Sequence, residues 1–173
     1  MALRRATVLN QLTAADALII GAPAYFGSMA SPLKRLFEDC VTAGNPPVTD
    51  RSRPWHLRQF RDKVGAAFTA SATPHGGNEM ALHSMLTLLM HLGMIVVTPG
   101  QHEPILEDEA APYGATAISG PDGTRRLSLP ERRAARELGQ RVARAAVWLQ
   151  AGRTAWEKHH GAQQTPVVLA TRT

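Results

Sequence analysis

At 173 residues, 44% hydrophobic and 19% charged, the chain is long enough to bury a core and too apolar to stay disordered. A single cysteine, Cys40, excludes an internal disulfide. No N-terminal run has a signal-peptide layout, and no apolar stretch reaches the roughly 18 residues of a membrane span, so one cytoplasmic, non-membrane domain is expected. A net charge of +5 raises nucleic-acid binding, but the arginines cluster in residues 124–146, where Leu138, Val142, Ala145 and Leu149 recur at helical spacing. They therefore fall on the solvated face of an amphipathic helix, and arginine outnumbers lysine along the whole chain, which argues against a patch selected for phosphate.

In chain order, "ATVLNQL" reads as the tail of a helix and residues 13–16 as a turn. "ALIIGAP" is a short, continuously apolar strand ended by Gly21 and Pro23, the habit of a parallel strand buried on both faces. After "AYFGSM", the run "ASPLKRLFEDCV" has proline near its start and Leu33, Leu36, Phe37 and Val41 at helical spacing. A loop rich in proline and arginine, residues 43–61, carries Trp55.

The pattern then repeats. "KVGAAFTAS" is a strand, "ATPHGGNE" a loop, "MALHSMLTLLMHLG" a helix with Gly93 as its C′ glycine, and "MIVVTPG" a strand closed by Pro99 and Gly100. Residues 101–122 read as irregular. The arginine-bearing helix begins after Ser128 with Pro130 in its first turn. Residues 1–152 are assigned to the domain. Residues 153–173 lack clear periodicity apart from "QTPVVLAT" and are read as a tail, frayed or used in a contact.

Strands alternating with helices imply an α/β fold with a parallel sheet, in which ligands bind at the carboxyl ends of the strands. "APAYFGSM" and "ASATPHGGNE" both lie at that rim, with small residues and few charges, which suits a flat, largely apolar ligand better than a sugar or a metal. Something must also approach the Gly76–Gly77 backbone so closely that side chains are excluded. Either a tight turn or a ligand at a helix N-terminus meets that requirement.

Three segments carry a family resemblance: "ADALIIGAPAYFGSMASPLKRLFED", "KVGAAFTASATPHGGNEMALHSMLTLLMHLGMIVV" and "PYGATAISGPDGTRR" with the helix after it. On these the sequence resembles the flavodoxin superfamily, and within it the WrbA-type NAD(P)H:quinone oxidoreductases. The resemblance implies FMN as cofactor, NADH or NADPH as electron donor, a quinone as acceptor and a homotetramer. It places the flavin ring beside Pro23, Ala24, Tyr25, Phe26 and Gly27 after one strand, and beside Ala70, Ser71, Ala72, Thr73, Pro74, His75, Gly76 and Gly77 after the next. His91 matches a histidine that reaches the flavin from a neighbouring subunit, and Trp55 an aromatic at the nicotinamide or quinone pocket. The cofactor performs hydride transfer itself, so no catalytic acid, base or nucleophile is required of the chain.

Duller readings stand beside these. His75 can simply orient a turn, Tyr25 and Phe26 can be core or interface aromatics, and Met80, Met85, Met90 and Met94 can be packing residues. His83 and His91 share a helical face but lack a third metal ligand at suitable spacing, so no metal is expected.

The resemblance also starts late. A family member begins with a strand and an FMN-phosphate loop that find no counterpart here, so the sheet is expected to be incomplete, without its first two strands. In strand order 2-1-3-4-5 that leaves "ALIIGA" as an open edge, and the Leu138/Val142/Leu149 stripe partly uncovered. Met1 is read as an internal start or the chain as a remnant, with other subunits or "TPVVLA" as alternative covers for the edge. A non-catalytic flavodoxin-like fragment or subunit that binds no FMN is the competing functional expectation.

Overall fold

The computed structural model describes Val8 and residues 11–42, 59–101 and 111–161. Their central element is a parallel pair, β1 (Ala17–Tyr25) and β3 (Val64–Ser71), in register from Ala17 against Val64 to Pro23 against Ala70. A two-residue β2 (Ser28–Met29) folds back antiparallel on the end of β1. The far edge of β3 is shared by two short parallel segments. β4 (Ile95–Val96) lies against Val64 and Gly65, and β5 (Ala115–Ile118) against Phe68 to Ser71.

Hydrogen bonding fixes which way each residue faces in the sheet. The Val64 N–H reaches the Asp16 carbonyl at 3.3 Å, whereas the Lys63 and Gly65 carbonyls receive the Ile95 and Val97 N–H groups at 2.8 Å. Even-numbered residues of β3 therefore bond to β1 and odd-numbered ones to β4 and β5. By the same alternation Ala17, Ile19 and Gly21 turn their backbone groups away from β3. Among the described residues this outer edge of β1 is unpaired until β2 joins at Ala24, and Pro23 brings no N–H to it.

Helices cover both faces. On one face lie α1 (Ser31–Thr42) and α2 (Asn78–His91); Phe37, Leu82, Met85, Leu86 and Leu89 pack with Leu18, Ile20 and Ala22 of β1 and Ala67 of β3. Full burial of side chains such as Leu82, Met85 and Leu89 contributes about 1.5–3 kcal/mol each. α2 ends in a Schellman turn as the sequence indicates. Gly93, at φ 72°, donates its N–H to the Met90 carbonyl, and Met94 donates to Leu89.

The long α3 (Leu129–His160) crosses the other face, where Leu138 and Val142 pack on Val64, Ala66 and Ala115. It starts from a complete capping box between Ser128 and Glu131, with proline in its first turn. Its arginines 132, 136, 141 and 144 are exposed, on the solvated face that the spacing assigns them.

Several expectations need correction. The stripe on α3 is covered at Leu138, 2% exposed, and Val142, 3% exposed, and is partly uncovered at Leu149, as expected for that end of it. β1 is not buried on both faces. Its burial alternates, and Ile19 is 43% exposed. "MIVVTPG" is strand only at Ile95–Val96, since the chain leaves the edge before Pro99. β5 lies inside the stretch read as irregular, because four small or medium residues make no apolar run. Finally, α3 continues to His160, so the first eight residues of the expected tail are helical. Met85 and Met94 are core residues, whereas Met80 and Met90 are mostly exposed.

Candidate functional site

Two loops meet at the carboxyl ends of β1 and β3. The first is a tight reversal in which Tyr25 pairs with Ser28 across Phe26 and Gly27, whose φ angles of 52° and 73° are both positive. Glycine adopts this backbone freely, but a bulky residue held there stores on the order of 1–3 kcal/mol. No burial offsets that strain, because Phe26 is fully exposed and Tyr25 is 62% exposed. The hairpin is anchored behind: the Met29 N–H donates to Ser84 Oγ at 3.1 Å, and Ser84 Oγ donates to the Ala81 carbonyl at 2.7 Å.

The second loop, residues 71–77, is folded on itself. Ser71 Oγ donates to the Thr73 carbonyl at 2.7 Å, and the Gly76 N–H reaches the same carbonyl at 3.0 Å. A Cβ on Gly76 would stand 2.4 Å from the Ser71 Cβ, and one on Gly77 would stand 2.6 Å from the Gly27 Cα. The body that excludes side chains from this backbone is therefore protein. The glycines let the two loops touch.

That packing leaves the loop's donors over. Among the described residues, the N–H groups of Ala72, Thr73, His75 and Gly77 make no hydrogen bond to the protein, and the first turn of α2 carries no side-chain cap. Ala72, Thr73, Pro74 and His75 are exposed. A rim of free donors beside two exposed aromatic rings suits a planar ligand with acceptors along one edge. The pyrimidine end of a flavin, with its carbonyl oxygens and ring nitrogens, has that chemistry, so the residues present fit the ring end of the cofactor that the resemblance implies.

Of the expected site residues, the structure brings together Pro23 to Gly27 and Ala70 to Gly77. It does not bring His91 to them: that side chain is exposed at the opposite end of α2, about 20 Å away along a 14-residue helix. Trp55 lies outside the described residues.

Four further residues at this rim escaped the sequence reading. The Asn78 carboxamide, 8% exposed, donates to the Ala117 carbonyl at 3.3 Å and leaves its Oδ1 without a partner. The Ser119 N–H donates to the Ser71 carbonyl at 2.8 Å. Glu131 accepts from the Ile118 N–H at 2.8 Å, the Ser128 N–H at 2.6 Å and Arg125 Nη1 at 2.9 Å. Partial burial works against ionisation of Glu131, but these donors outweigh it and hold the carboxyl below the ordinary glutamate range. The S-x-x-E spacing of the capping box was the signal that could have marked Glu131. Beside this cluster a cavity of about 920 Å³ opens on the β5 side of the loop, with His75, Glu79, Thr116, Arg125 and Glu131 in its wall.

Comparison with known proteins bears on the same segments. The family model described as NADPH-dependent FMN reductase matches residues 4–102. A protein of Gluconacetobacter diazotrophicus named NAD(P)H dehydrogenase (quinone) is 41% identical over 145 residues, 81% of this chain and 67% of that protein. A protein of the same name from Azorhizobium caulinodans is 38% identical over 139 residues, 78% of this chain and 64% of that protein. Among solved structures, a WrbA-like flavodoxin from Agrobacterium tumefaciens matches with a TM-score of 0.58 at 27% identity, covering 80% of this chain and 71% of that one. The fold is flavodoxin-like. The chain spans 64% to 67% of the length of these two curated relatives.

Proposed function

Since the chain belongs to the NADPH-dependent FMN reductase family, in its WrbA-type flavodoxin branch, we propose that it acts as an FMN-dependent NAD(P)H:quinone oxidoreductase. The observation that carries this reading is the rim itself: among the described residues, four backbone N–H groups of residues 72–77 have no partner, in a loop packed beside exposed Tyr25 and Phe26. A bound flavin would supply the redox chemistry, taking a hydride from NADH or NADPH and passing two electrons to a quinone.

The chain's own contribution is positioning. Backbone donors at Ala72, Thr73, His75 and Gly77 would hold the ring's polar edge and favour negative charge there, while the 25–27 reversal would present aromatic surface to its flank. Because its own helix carries His91 about 20 Å from that rim, His91 would reach a flavin only from a neighbouring subunit, in keeping with a homotetramer. A cytoplasmic setting suits both the nicotinamide donor and the single cysteine.

One observation favours a second reading, a flavodoxin-like protein that binds no FMN. Among the described residues nothing pairs with the outer edge of β1 from Ala17 to Pro23, the side on which the family's phosphate-binding strand stands. Titrating the 173-residue protein with FMN and following flavin fluorescence separates the two. Micromolar or tighter binding, with bleaching of the bound flavin by NADH or NADPH and recovery on adding a quinone, is the expected result. Absence of binding at 100 µM FMN, about −5.5 kcal/mol, would sink the oxidoreductase reading in favour of the second.

A further inference from the structure

Loop 71–77 has few bonds of its own for a segment asked to hold a ligand edge in place. Its internal bonds converge on one atom, the Thr73 carbonyl, and its tip is exposed. A second set of bonds reaches it from the end of the neighbouring strand, β5. The Ser71 carbonyl, at the loop's root, receives the Ser119 N–H at 2.8 Å and Ser119 Oγ at 3.3 Å. Ser119 opens a compact loop that Arg125 closes, because the Arg125 N–H donates to the Ser119 carbonyl at 2.9 Å.

The Arg125 side chain then clamps the same corner. Its Nη1 donates to the Ile118 carbonyl at 2.6 Å and to both Glu131 oxygens at 2.9 and 3.0 Å, while Glu131 takes the Ile118 N–H. Glu131 is itself fixed by the capping box at the head of α3, a helix seated on the sheet by Leu138 and Val142. A continuous path of hydrogen bonds thus joins the rigid end of α3 to the root of the exposed loop.

We infer that Arg125 and Glu131 are positioning residues for the flavin-ring loop, holding residues 71–77 in the shape that presents their free N–H groups. The inference rests on the proposed flavin site but concerns residues outside the two loops that would meet the ring, acting through the root of loop 71–77. Arginine suits the task for a physical reason: its guanidinium is planar and always charged, so the N–H groups on Nη1 are held at fixed angles toward the carboxylate and the carbonyl, which a freely rotating lysine ammonium does with poorer geometry. Charge-assisted hydrogen bonds are the strong ones, so losing this clamp should be felt by its dependents.

The test uses the whole 173-residue protein and two readouts. In the ligand-free protein, amide hydrogen exchange of Gly76, whose N–H is bonded to the Thr73 carbonyl, and of Ser119, whose N–H is bonded to the Ser71 carbonyl, should speed up about tenfold in Arg125→Ala, while exchange in the middle of β3 stays unchanged. Arg125→Lys should restore part of the protection. Riboflavin, which carries the ring without a phosphate, should bind Arg125→Ala about tenfold more weakly than the unaltered protein, with a shifted absorbance band. Unchanged exchange at Gly76 in Arg125→Ala overturns the inference whatever the flavin does. Equal loss of protection in β3 also overturns it, since Arg125 would then be holding the fold at large. If the exchange result is as expected but the unaltered protein binds neither riboflavin nor FMN, the flavin reading falls and the bracing stands.

Discussion

The two rim loops are held by opposite means. The 25–28 reversal is short, strained at Phe26 and anchored from behind by the bond from Met29 to Ser84. Loop 71–77 is longer, carries its positive φ on glycine, and is braced at its root by Ser119 and the Arg125–Glu131 corner. One loop spends backbone strain to push an aromatic ring outward. The other removes side chains and adds braces so that bare backbone faces outward. Both meet at Gly27 and Gly77, and that contact sets how far apart the aromatic and the donor rows stand.

The largest effect should come from that contact. Gly77→Ala places a Cβ 2.6 Å from the Gly27 Cα at φ 84°, so the backbone conformation and the space both oppose it. A loss of about 2–4 kcal/mol of unfolding free energy in urea is expected. Gly27→Ala has nearly the same φ, but its Cβ would meet nothing closer than the Met80 Cβ at 3.9 Å. Only the conformational penalty of about 1–2 kcal/mol remains. Equal costs for the two variants would show that the loops do not press on each other as described.

Phe26 tests the other half of the comparison. Phe26→Gly relieves a positive φ at a side chain that buries nothing, so the folded state should gain about 0.5–1 kcal/mol or stay level. Riboflavin binding should weaken at the same time if the ring is a ligand wall. A variant that is destabilised instead would mean that Phe26 packs in a contact made between subunits. Strain retained at an exposed aromatic is otherwise hard to explain by stability alone.

Much of this arrangement was legible beforehand, and the reasons for the gaps are local. β1, β3 and the helices following them announce themselves through runs of apolar residues, and Gly93 through its place after "LLMHL". β5 was hidden because Ala115, Thr116 and Ala117 are small, and a strand that adds only four residues to an existing edge needs little hydrophobicity of its own. The glycines of "PHGGN" were visible as a demand for close approach, yet sequence could not say whether a ligand or the chain came close. A contact between residues 27 and 77 depends on how β1 and β3 register, and no local pattern encodes that. The Arg125–Glu131 corner looked like surface charge, since its meaning depends on where Ile118 and Ser71 end up.

The smallest expected effect is a titration that should reach one loop and spare the other. Glu131 ordinarily would titrate near 4.5; partial burial raises it, but the Ile118 and Ser128 N–H groups, Arg125 and the Ser128 hydroxyl together lower it further. A folded-state pKa below the unfolded one means that the stabilisation is complete above about pH 4.5 and is lost as pH falls through the folded value. The amide resonances of Ile118 and Ser128 should therefore shift with a midpoint below 4.5, and that of Ser119 should follow as the corner loosens. Met29, whose N–H is held by a serine hydroxyl, should not move with them. Glu131→Gln should abolish the titration at all three amides. A midpoint at or above the ordinary value, or one shared by Met29, would mean that the carboxylate does not hold the corner, and the contrast between a braced loop and a strained one would lose its physical basis.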